Sequence, residues 1–165
     1  MAEYLGVTVR IPENDQPNLE YLQAAGEGRL ALQRCDECDH LRYPPGPSCP
    51  FCMALEWHWD EVSGRGTIYS YEIVHHGIHP AYRGITPYPI VLVELDEQRG
   101  VPTEHDGLRI ISSLVDAEGN PEDAERVAIG ARVEVEFADL GDGLALPRFT
   151  LSDEPPEGEL WRFEA

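Results

Sequence analysis

All four cysteines of the chain lie within 18 consecutive positions, in two CxxC pairs separated by ten residues. The pairs are Cys35 with Cys38 and Cys49 with Cys52. Two CxxC turns that face each other place four thiolates at the corners of a tetrahedron, which is the arrangement of a structural zinc site. Because protein ligands would fill all four positions, no position would remain for water or substrate. The pattern therefore predicts a zinc ion that holds the fold together and performs no chemistry.

The sequence alone leaves other uses of these thiols open. Two disulfides, or one redox-active pair, would fit the spacing, but a cytosolic chain disfavours stable disulfides and a single redox pair would leave the second pair unexplained. Iron in a rubredoxin-like site uses the same four ligands, so the sequence does not separate zinc from iron. His40 and His58 could each replace a thiolate, although the complete set of four cysteines favours surface or packing roles for both.

A short helix and a rigid loop are expected to position the cysteines. Residues 1–17 are predicted to form an extended arm, and Asn18 can then cap a short helix that two glycines terminate. Leu30 and Leu32 lead in extended conformation to the first CxxC pair. Three prolines within residues 44–47 are expected to stiffen the loop between the two pairs.

Alternating polar and apolar residues after the last cysteine predict β-strands. Leu55, Trp57 and Trp59 are expected to face one way, as in a half-buried strand, with both tryptophans in the core. Five further strands are each bounded by glycine, proline or acidic loops. They are Thr67 to His75, Ile90 to Leu95, Leu108 to Val115, Ala131 to Ala138 and Gly143 to Leu151. Residues 124–129 suggest a short helix or turn between the third and the fourth, and this order fits a small closed barrel of the OB type.

The predicted fold is therefore mainly β, with a short N-terminal helix and a zinc ribbon followed by a five-stranded OB-fold barrel. Its 165 residues suffice for one compact domain or two very small ones. The predicted organisation is an arm over residues 1–17, the helix and zinc ribbon over 18–62, the OB-fold domain over 63–151 and a polar tail over 152–165.

Charge limits the classes of partner. The chain carries 31 acidic and 12 basic residues, for a formal charge of −19, and the basic residues are scattered arginines. Such a surface repels a phosphate backbone, so a nucleic-acid partner is not expected. No stretch approaches the roughly 20 apolar residues of a membrane helix, and the N-terminus does not have the pattern of a secretory signal. We therefore expect a cytoplasmic location and no membrane partner.

An ordered series of motifs resembles the family that pairs a rubredoxin-like zinc ribbon with an acyl-CoA-associated OB fold. The motifs are Gly28-Arg29-Leu30, Arg34 through Cys38, Tyr43-Pro44-Pro45, Cys49-Pro50-Phe51-Cys52, Gly64 through Tyr71 and Pro147-Arg148-Phe149. The sequence departs from the family after the second cysteine of each pair, where such ribbons often have glycine and this chain has Asp39 and Met53. The loop over residues 97–107 also looks longer than the usual form.

The resemblance implies an accessory subunit that binds a thiolase-fold enzyme acting on acyl-CoA, with the ribbon docked on the partner and the OB fold near the CoA channel. Some relatives serve in thiolase or hydroxymethylglutaryl-CoA synthase assemblies. Others pair with thiolase-like aldolases that cleave steroid side-chain CoA thioesters by a retro-aldol step. The acidic balance and the use of arginine alone place this sequence nearer to the aldolase-associated members.

The loop between the first two barrel strands is the predicted contact region for a ligand or partner, because loops of OB folds often carry ligand contacts. It contains His75, His76, Tyr82, Arg83 and Tyr88. Arg83 could meet a CoA phosphate or a partner carboxylate, since arginine and tyrosine are enriched in interface hot spots. The adjacent histidines could supply a base, but neighbouring strand residues point to opposite faces and cannot easily act together.

The C-terminal tail contains a second predicted contact. Trp161 lies between Leu160 and Phe163 in an otherwise polar segment, which indicates a tail that packs onto another surface. Two further readings of the whole chain compete with the accessory subunit. A single-stranded nucleic-acid-binding OB module is opposed by the charge, and a self-contained enzyme built on the region of His75 has neither a recognisable triad nor an open metal site.

Overall fold

The computed structural model describes residues 1–11 and 14–163 of the chain. Within that part it contains one α-helix, two short 3-10 helices at Pro80–Tyr82 and Ala124–Arg126, and ten strands. The predicted arm at residues 12 and 13 and the end of the predicted tail at residues 164 and 165 lie outside the described residues. The elements are β1 (Glu3–Tyr4), β2 (Val7–Thr8), α1 (Gln16–Gly26), β3 (Leu30–Cys35), β4 (Leu41–Arg42), β5 (Trp57–Val62), β6 (Arg65–Val74), β7 (Tyr88–Arg99), β8 (Gly107–Ser113), β9 (Arg132–Gly141) and β10 (Leu144–Leu151).

The N-terminal residues differ from the predicted extended arm. Strands β1 and β2 form an antiparallel hairpin whose turn places Leu5 and Gly6 at positive φ. The helix starts at Gln16, two residues before the predicted cap at Asn18. Pro17 is tolerated there because the first turn of a helix needs no main-chain donor. The Asn18 side chain instead donates hydrogen bonds of 2.8 and 2.9 Å to the carboxylate of Asp15, from within the first turn.

A three-stranded antiparallel sheet with the order β4-β3-β5 carries the cysteine turns. Strand β5 is the strand predicted after the last cysteine. Trp57 and Trp59 are half-buried in it, and their rings meet edge to face at 5.2 Å. The prediction that Leu55 faces inward with them is wrong, because Leu55 precedes the strand and is 66% exposed.

The other five strands form an antiparallel sheet with the order β10-β9-β6-β7-β8. The two outer strands approach each other to close it into a barrel. Leu114 forms a bridge with Phe149, and the Ser112 hydroxyl donates to the Pro147 carbonyl over 2.8 Å. The buried core includes Ile68, Val91, Val93, Leu95, Ile110, Val133 and Phe149. The predicted five-stranded OB barrel is thereby confirmed, as is the mainly β fold class.

Strand β7 runs four residues beyond the predicted end at Leu95. The prediction ended this strand at Leu95 and placed residues 97–107 in a loop, and acidic residues such as Asp96 and Glu97 are indeed uncommon within strands. Arg132 on β9 neutralises Asp96 with hydrogen bonds of 2.8 and 2.5 Å, and Arg99 forms an ion pair with the same carboxylate. One ion pair from β9 and one within β7 therefore accommodate Asp96 in the strand.

The hydrophobic core continues from the ribbon into the barrel. One buried cluster contains Leu32 and Leu41 from the ribbon sheet together with Ile68 and Phe149 from the barrel. Helix α1 lies against both parts and contributes Tyr21 to this cluster. Packing across a common core fixes the position of the cysteine turns relative to the barrel.

Candidate metal centre and partner surfaces

The four cysteine sulfurs converge on one point. The Sγ atoms of Cys35 and Cys52 lie 3.6 Å apart, as do those of Cys38 and Cys49, and all four lie within 4.8 Å of one another. A tetrahedral zinc ion with Zn–S bonds of about 2.3 Å requires sulfurs about 3.8 Å apart. The sulfurs therefore have the spacing of a zinc site.

Two equivalent backbone turns produce this geometry. The main-chain N–H of Asp39 donates to the Cys35 carbonyl over 3.0 Å, and the N–H of Met53 donates to the Cys49 carbonyl over 2.9 Å. Asp39 and Met53 both have left-handed backbones, with φ of 61° and 67°. The structure thus adopts the usual ribbon turn at both positions where this sequence lacks the usual glycine. Asp tolerates that conformation better than Met does, so Met53 is the more strained of the two.

Ionisation of the thiols also favours a bound cation. Burial raises the pKa of Cys49, but hydrogen bonds from the main chain of Cys52 and Phe51 outweigh it and lower this pKa to about 7. A main-chain hydrogen bond at His40 lowers the pKa of Cys38, but desolvation and the neighbouring thiols raise it to about 12. The neighbouring thiols thus favour the thiolate of Cys49 and disfavour that of Cys38, and all four ionise together only when a cation such as zinc offsets their charge.

Neither nearby histidine belongs to the sulfur cluster. His58 Nδ1 lies 2.6 Å from a carboxylate oxygen of Asp36, and the His40 ring packs on the Phe51 ring at 5.0 Å. Among the described residues, the four cysteines form the one group of three or more cysteine, histidine or acidic side chains close enough to share an ion.

Buried polar side chains hold the loop that carries the second cysteine pair. The Gln33 side-chain oxygen accepts hydrogen bonds from Arg42 Nε over 2.8 Å and from the Gly46 N–H over 2.9 Å. Arg42 also donates to the Gly46 carbonyl over 2.9 Å and lies 5.8 Å from the Trp57 ring. These bonds connect the sheet to the proline-rich loop between the two turns.

The second cysteine turn presents apolar side chains to solvent. Phe51, Met53 and Leu55 are 46%, 72% and 66% exposed. We call this group the knuckle patch; it is not among the contact residues predicted from the sequence. The available signal was Met53 itself, an apolar residue where such ribbons often have glycine.

The residues of the predicted contact loop separate into different places. Tyr82 and Tyr88 pack together with ring centroids 5.5 Å apart and line a cavity of about 110 Å³ near Tyr4. Arg83 is exposed and does not line this cavity. His76 is likewise exposed.

His75 joins Trp161 in a larger groove of about 820 Å³. One wall is the second half of β6, and the other walls are residues 124–129 and the end of the tail. We call it the β6 groove. Its apolar lining consists of Tyr71, Ile73, Val127, Ile129, Trp161 and Phe163.

The tail follows the barrel surface to the β6 groove. Arg132 binds Glu154 with hydrogen bonds of 2.9 and 3.1 Å, and Arg99 binds Glu157 at 2.7 Å. Trp161 then pairs with Ile129 through two main-chain hydrogen bonds of 2.8 and 3.0 Å. The tail therefore packs on its own barrel through two glutamate side chains and the main chain of Trp161, while the Trp161 side chain remains 54% exposed.

In the described part of the chain, no helix is both long and apolar enough to cross a membrane.

Two family models cover most of the sequence. The one described as "ChsH2, rubredoxin-like zinc ribbon domain" matches residues 22–57, and the one described as "ChsH2, C-terminal OB-fold domain" matches residues 59–138. The chain belongs to the ChsH2 family. The resemblance inferred from the motifs is thus confirmed. A zinc-ribbon family match together with four converging sulfurs also confirms zinc as the structural cofactor.

Relatives of this ChsH2-family chain carry several names. A "Probable enoyl-CoA hydratase alpha subunit" of Thermomonospora curvata is 36% identical over 84% of the chain, and the "3-oxo-4,17-pregnadiene-20-carboxyl-CoA hydratase alpha subunit" of Mycobacterium tuberculosis is 36% identical over 68%. The chain spans only 38% and 31% of the length of these two relatives. A "DUF35 domain-containing scaffold protein" of Methanothermobacter thermautotrophicus is 29% identical over 66% of the chain and 71% of the relative.

A solved structure gives a more complete match. A chain of the structure described as "Ltp2-ChsH2(DUF35) aldolase" is 35% identical to this one, with a TM-score of 0.66. The match covers 86% of this chain and 98% of that chain. The combination of ribbon and barrel is therefore similar to a full chain found in an aldolase assembly.

Proposed function

We propose that this chain is a non-catalytic accessory subunit that binds and stabilises a thiolase-fold acyl-CoA enzyme. The observation that carries the proposal is the match to nearly the whole length of a chain in the Ltp2-ChsH2(DUF35) aldolase. The scaffold name of the archaeal relative supports the same role. A zinc ion with four protein ligands has no open position for substrate, so the metal would hold the docking surface in shape.

The reaction we propose for the partner is an aldolase reaction on a steroid side-chain acyl-CoA. In a retro-aldol step a base removes the proton of the β-hydroxyl, and the bond between the α- and β-carbons breaks to give a ketone and an acyl-CoA enolate. The enolate then takes up a proton at its α-carbon and becomes the acyl-CoA product. The pregnadiene carboxyl-CoA in a relative's name and the aldolase in the structural match favour this substrate class. The groups that move the proton would belong to the partner.

Two surfaces are our candidates for contact with the partner. The knuckle patch is an exposed apolar surface on a rigid metal-bound turn, and such surfaces in soluble proteins often mark interaction sites. The loop residues His76, Tyr82, Arg83 and Tyr88 are proposed to lie nearer to the CoA. Substituting Arg83→Ala should weaken binding of the partner or of CoA, and unchanged affinity for both would remove Arg83 from the proposal.

A partner of the thiolase or hydroxymethylglutaryl-CoA synthase type is the second candidate, and the scaffold name of the relative is compatible with a partner of either type. Single-stranded nucleic acid remains a third candidate that the formal charge of −19 opposes. The cytoplasmic location is part of the proposal, because a reducing compartment keeps zinc-binding cysteines from forming disulfides.

Capture of a tagged full-length chain from its source cell tests the function. The captured fraction should contain a thiolase-fold subunit, identified by mass spectrometry, and about one zinc ion per chain. Purified complex should cleave a β-hydroxy steroid acyl-CoA into ketone and acyl-CoA, whereas thiolysis of a 3-ketoacyl-CoA would identify the second candidate. Recovery of the chain alone or with nucleic acid would contradict the accessory-subunit proposal.

A further inference from the structure

The second half of β6 has a neighbouring strand on one side only. Strand β9 pairs with β6 over Arg65–Thr67, and one more pair of main-chain hydrogen bonds, to Ile68, follows. A bulge lies between Ile68 and Ser70, after which β6 continues to Val74 paired with β7 alone. Within the described residues no strand pairs with the other side of this segment, and that side forms a wall of the β6 groove.

The register shows which main-chain groups face the groove. Pro89 of β7 stands opposite Ile73, and the Pro89 carbonyl accepts a hydrogen bond from Leu114 on the far side of β7. Residues directly opposite each other in an antiparallel pair either bond to each other or both face away. The N–H and C=O of Ile73 therefore face away from β7 and towards the groove. Because this direction alternates along a strand, the N–H and C=O of Tyr71, two residues earlier, also face the groove.

The surroundings of this edge are apolar and aromatic. Trp161 and Phe163 are 54% and 72% exposed, although main-chain bonds hold both in place. Trp161 pairs with Ile129, and the Phe163 N–H donates to the Tyr71 hydroxyl over 2.8 Å. The two rings lie edge to face with centroids 6.3 Å apart, and both line the groove beside the free edge.

An exposed strand edge specifies the kind of ligand it takes. Its evenly repeated donors and acceptors match another extended main chain, and proteins usually cover or block such an edge. Neither a helix nor a small molecule presents the same alternating row of hydrogen-bond donors and acceptors. The exposed carboxylates of Glu72 and Glu125 line the groove together with one arginine, Arg162, so its side chains carry a net negative charge and the occupant should carry a basic side chain beside its apolar ones.

We propose that the β6 groove binds an extended segment of the partner subunit, which pairs as an additional strand with Tyr71 and Ile73. This inference rests on the proposed function, because the segment comes from the thiolase-fold partner. The acidic surface of this chain favours a partner segment of opposite charge. Apolar side chains of the segment would pack between β6 and the rings of Trp161 and Phe163.

Amide hydrogen exchange on the full-length chain, alone and in complex with the captured thiolase-fold subunit, tests the inference directly. Exchange at Tyr71 and Ile73 should slow at least tenfold in the complex, since each amide would gain a hydrogen-bond partner. Glu61, an exposed residue of the edge strand β5 in the ribbon sheet, does not line the groove and serves as the internal reference. Its exchange should not change.

Two variants separate the edge from the fold. Ile73→Pro removes an N–H that faces away from β7, a position at which proline is tolerated in an edge strand. Trp161→Ala removes an exposed ring and leaves the main-chain pairing possible. Each should weaken partner binding at least tenfold, and Trp161→Ala should retain the zinc content and melting temperature of the wild type.

The outcomes distinguish this inference from the proposed function. A complex that forms with unchanged exchange at Tyr71 and Ile73, and with full affinity for both variants, would overturn strand addition and leave the accessory role intact. Slowed exchange in the free chain that depends on its concentration would assign the groove to a second copy and also overturn the inference. If no thiolase-fold subunit binds at all, the proposed function and this inference fail together.

Discussion

The side-chain amide of Gln98 in the barrel bonds both main-chain groups of Leu41 in the ribbon. Its Nε2 donates to the Leu41 carbonyl over 2.9 Å, and its Oε1 accepts from the Leu41 N–H over 2.7 Å. Both residues are almost fully buried, with exposed fractions of 6% and 1%. The amide therefore acts like a strand neighbour for β4 and links the zinc ribbon to the barrel.

Replacement of Gln98 by leucine should lower the free energy of unfolding by about 2 kcal/mol or more, because it leaves two buried main-chain groups without partners. Denaturant unfolding of the zinc-loaded protein measures the change. Gln23→Leu makes the same chemical change on an exposed face of α1 and should alter stability by less than about 0.5 kcal/mol. Equal effects of the two substitutions would show that the Gln98 bonds do not stabilise the junction.

Removal of one zinc ligand should abolish the metal site. Cys38→Ser leaves three thiolates, and metal analysis should find zinc reduced from about one per chain to near zero after dialysis against a chelator. His58→Ala should keep its zinc, because His58 contacts Asp36 and lies outside the sulfur cluster. Loss of zinc from the histidine variant would mean that the ligand set is not four cysteines.

Replacement of Met53 by glycine should raise the free energy of unfolding by about 0.5 to 1 kcal/mol, since glycine removes the left-handed backbone strain while losing some chain entropy. The side chain is 72% exposed, so little packing is lost. Asp39→Gly should give a smaller gain, because Asp tolerates φ of 61° better. If Met53 also contacts the partner, the more stable variant should bind it less tightly, and a pull-down with the same partner measures this.

Stability at acid pH should depend on Asp96. A hydrogen bond from the Arg132 guanidinium, aided by the charges of Arg99 and Arg132, holds the pKa of Asp96 below its usual value of 3.8. The unfolded chain therefore binds a proton at Asp96 more readily than the folded one. The stabilisation is fully present above the usual pKa and is lost as the pH falls through the lower, folded pKa.

Unfolding measured from about pH 5 down to pH 3 should show a steeper loss of stability for the wild type than for Asp96→Asn. Asp153→Asn makes the same change in net charge at an exposed position and should keep the wild-type slope. A wild-type slope in the Asp96 variant would show that the ion pairs with Arg132 and Arg99 do not contribute to acid stability.

Several predictions from sequence hold because they depend on local pattern. The spacing of Cys35, Cys38, Cys49 and Cys52 needs only two short turns to become a metal site. The five barrel strands follow from alternation and turn residues within each segment. Both kinds of signal lie within a few residues of the structure they predict. The early start of α1 and the extension of β7 through Asp96 depend on partners that local pattern does not reveal.

The sequence by itself thus determined the zinc ribbon, the barrel and the family, because neighbouring residues carry that information. Only the tertiary structure placed Gln98 on Leu41, Arg132 on Glu154 and Trp161 on Ile129. The same packing left the edge of β6 unpaired and the knuckle patch exposed. The contacts join residues that are far apart in the chain. The uncovered surfaces arise because no other segment of the chain packs on them. Which distant segments pack together depends on the packing and the chain entropy of the whole molecule, so a short stretch of sequence does not determine it.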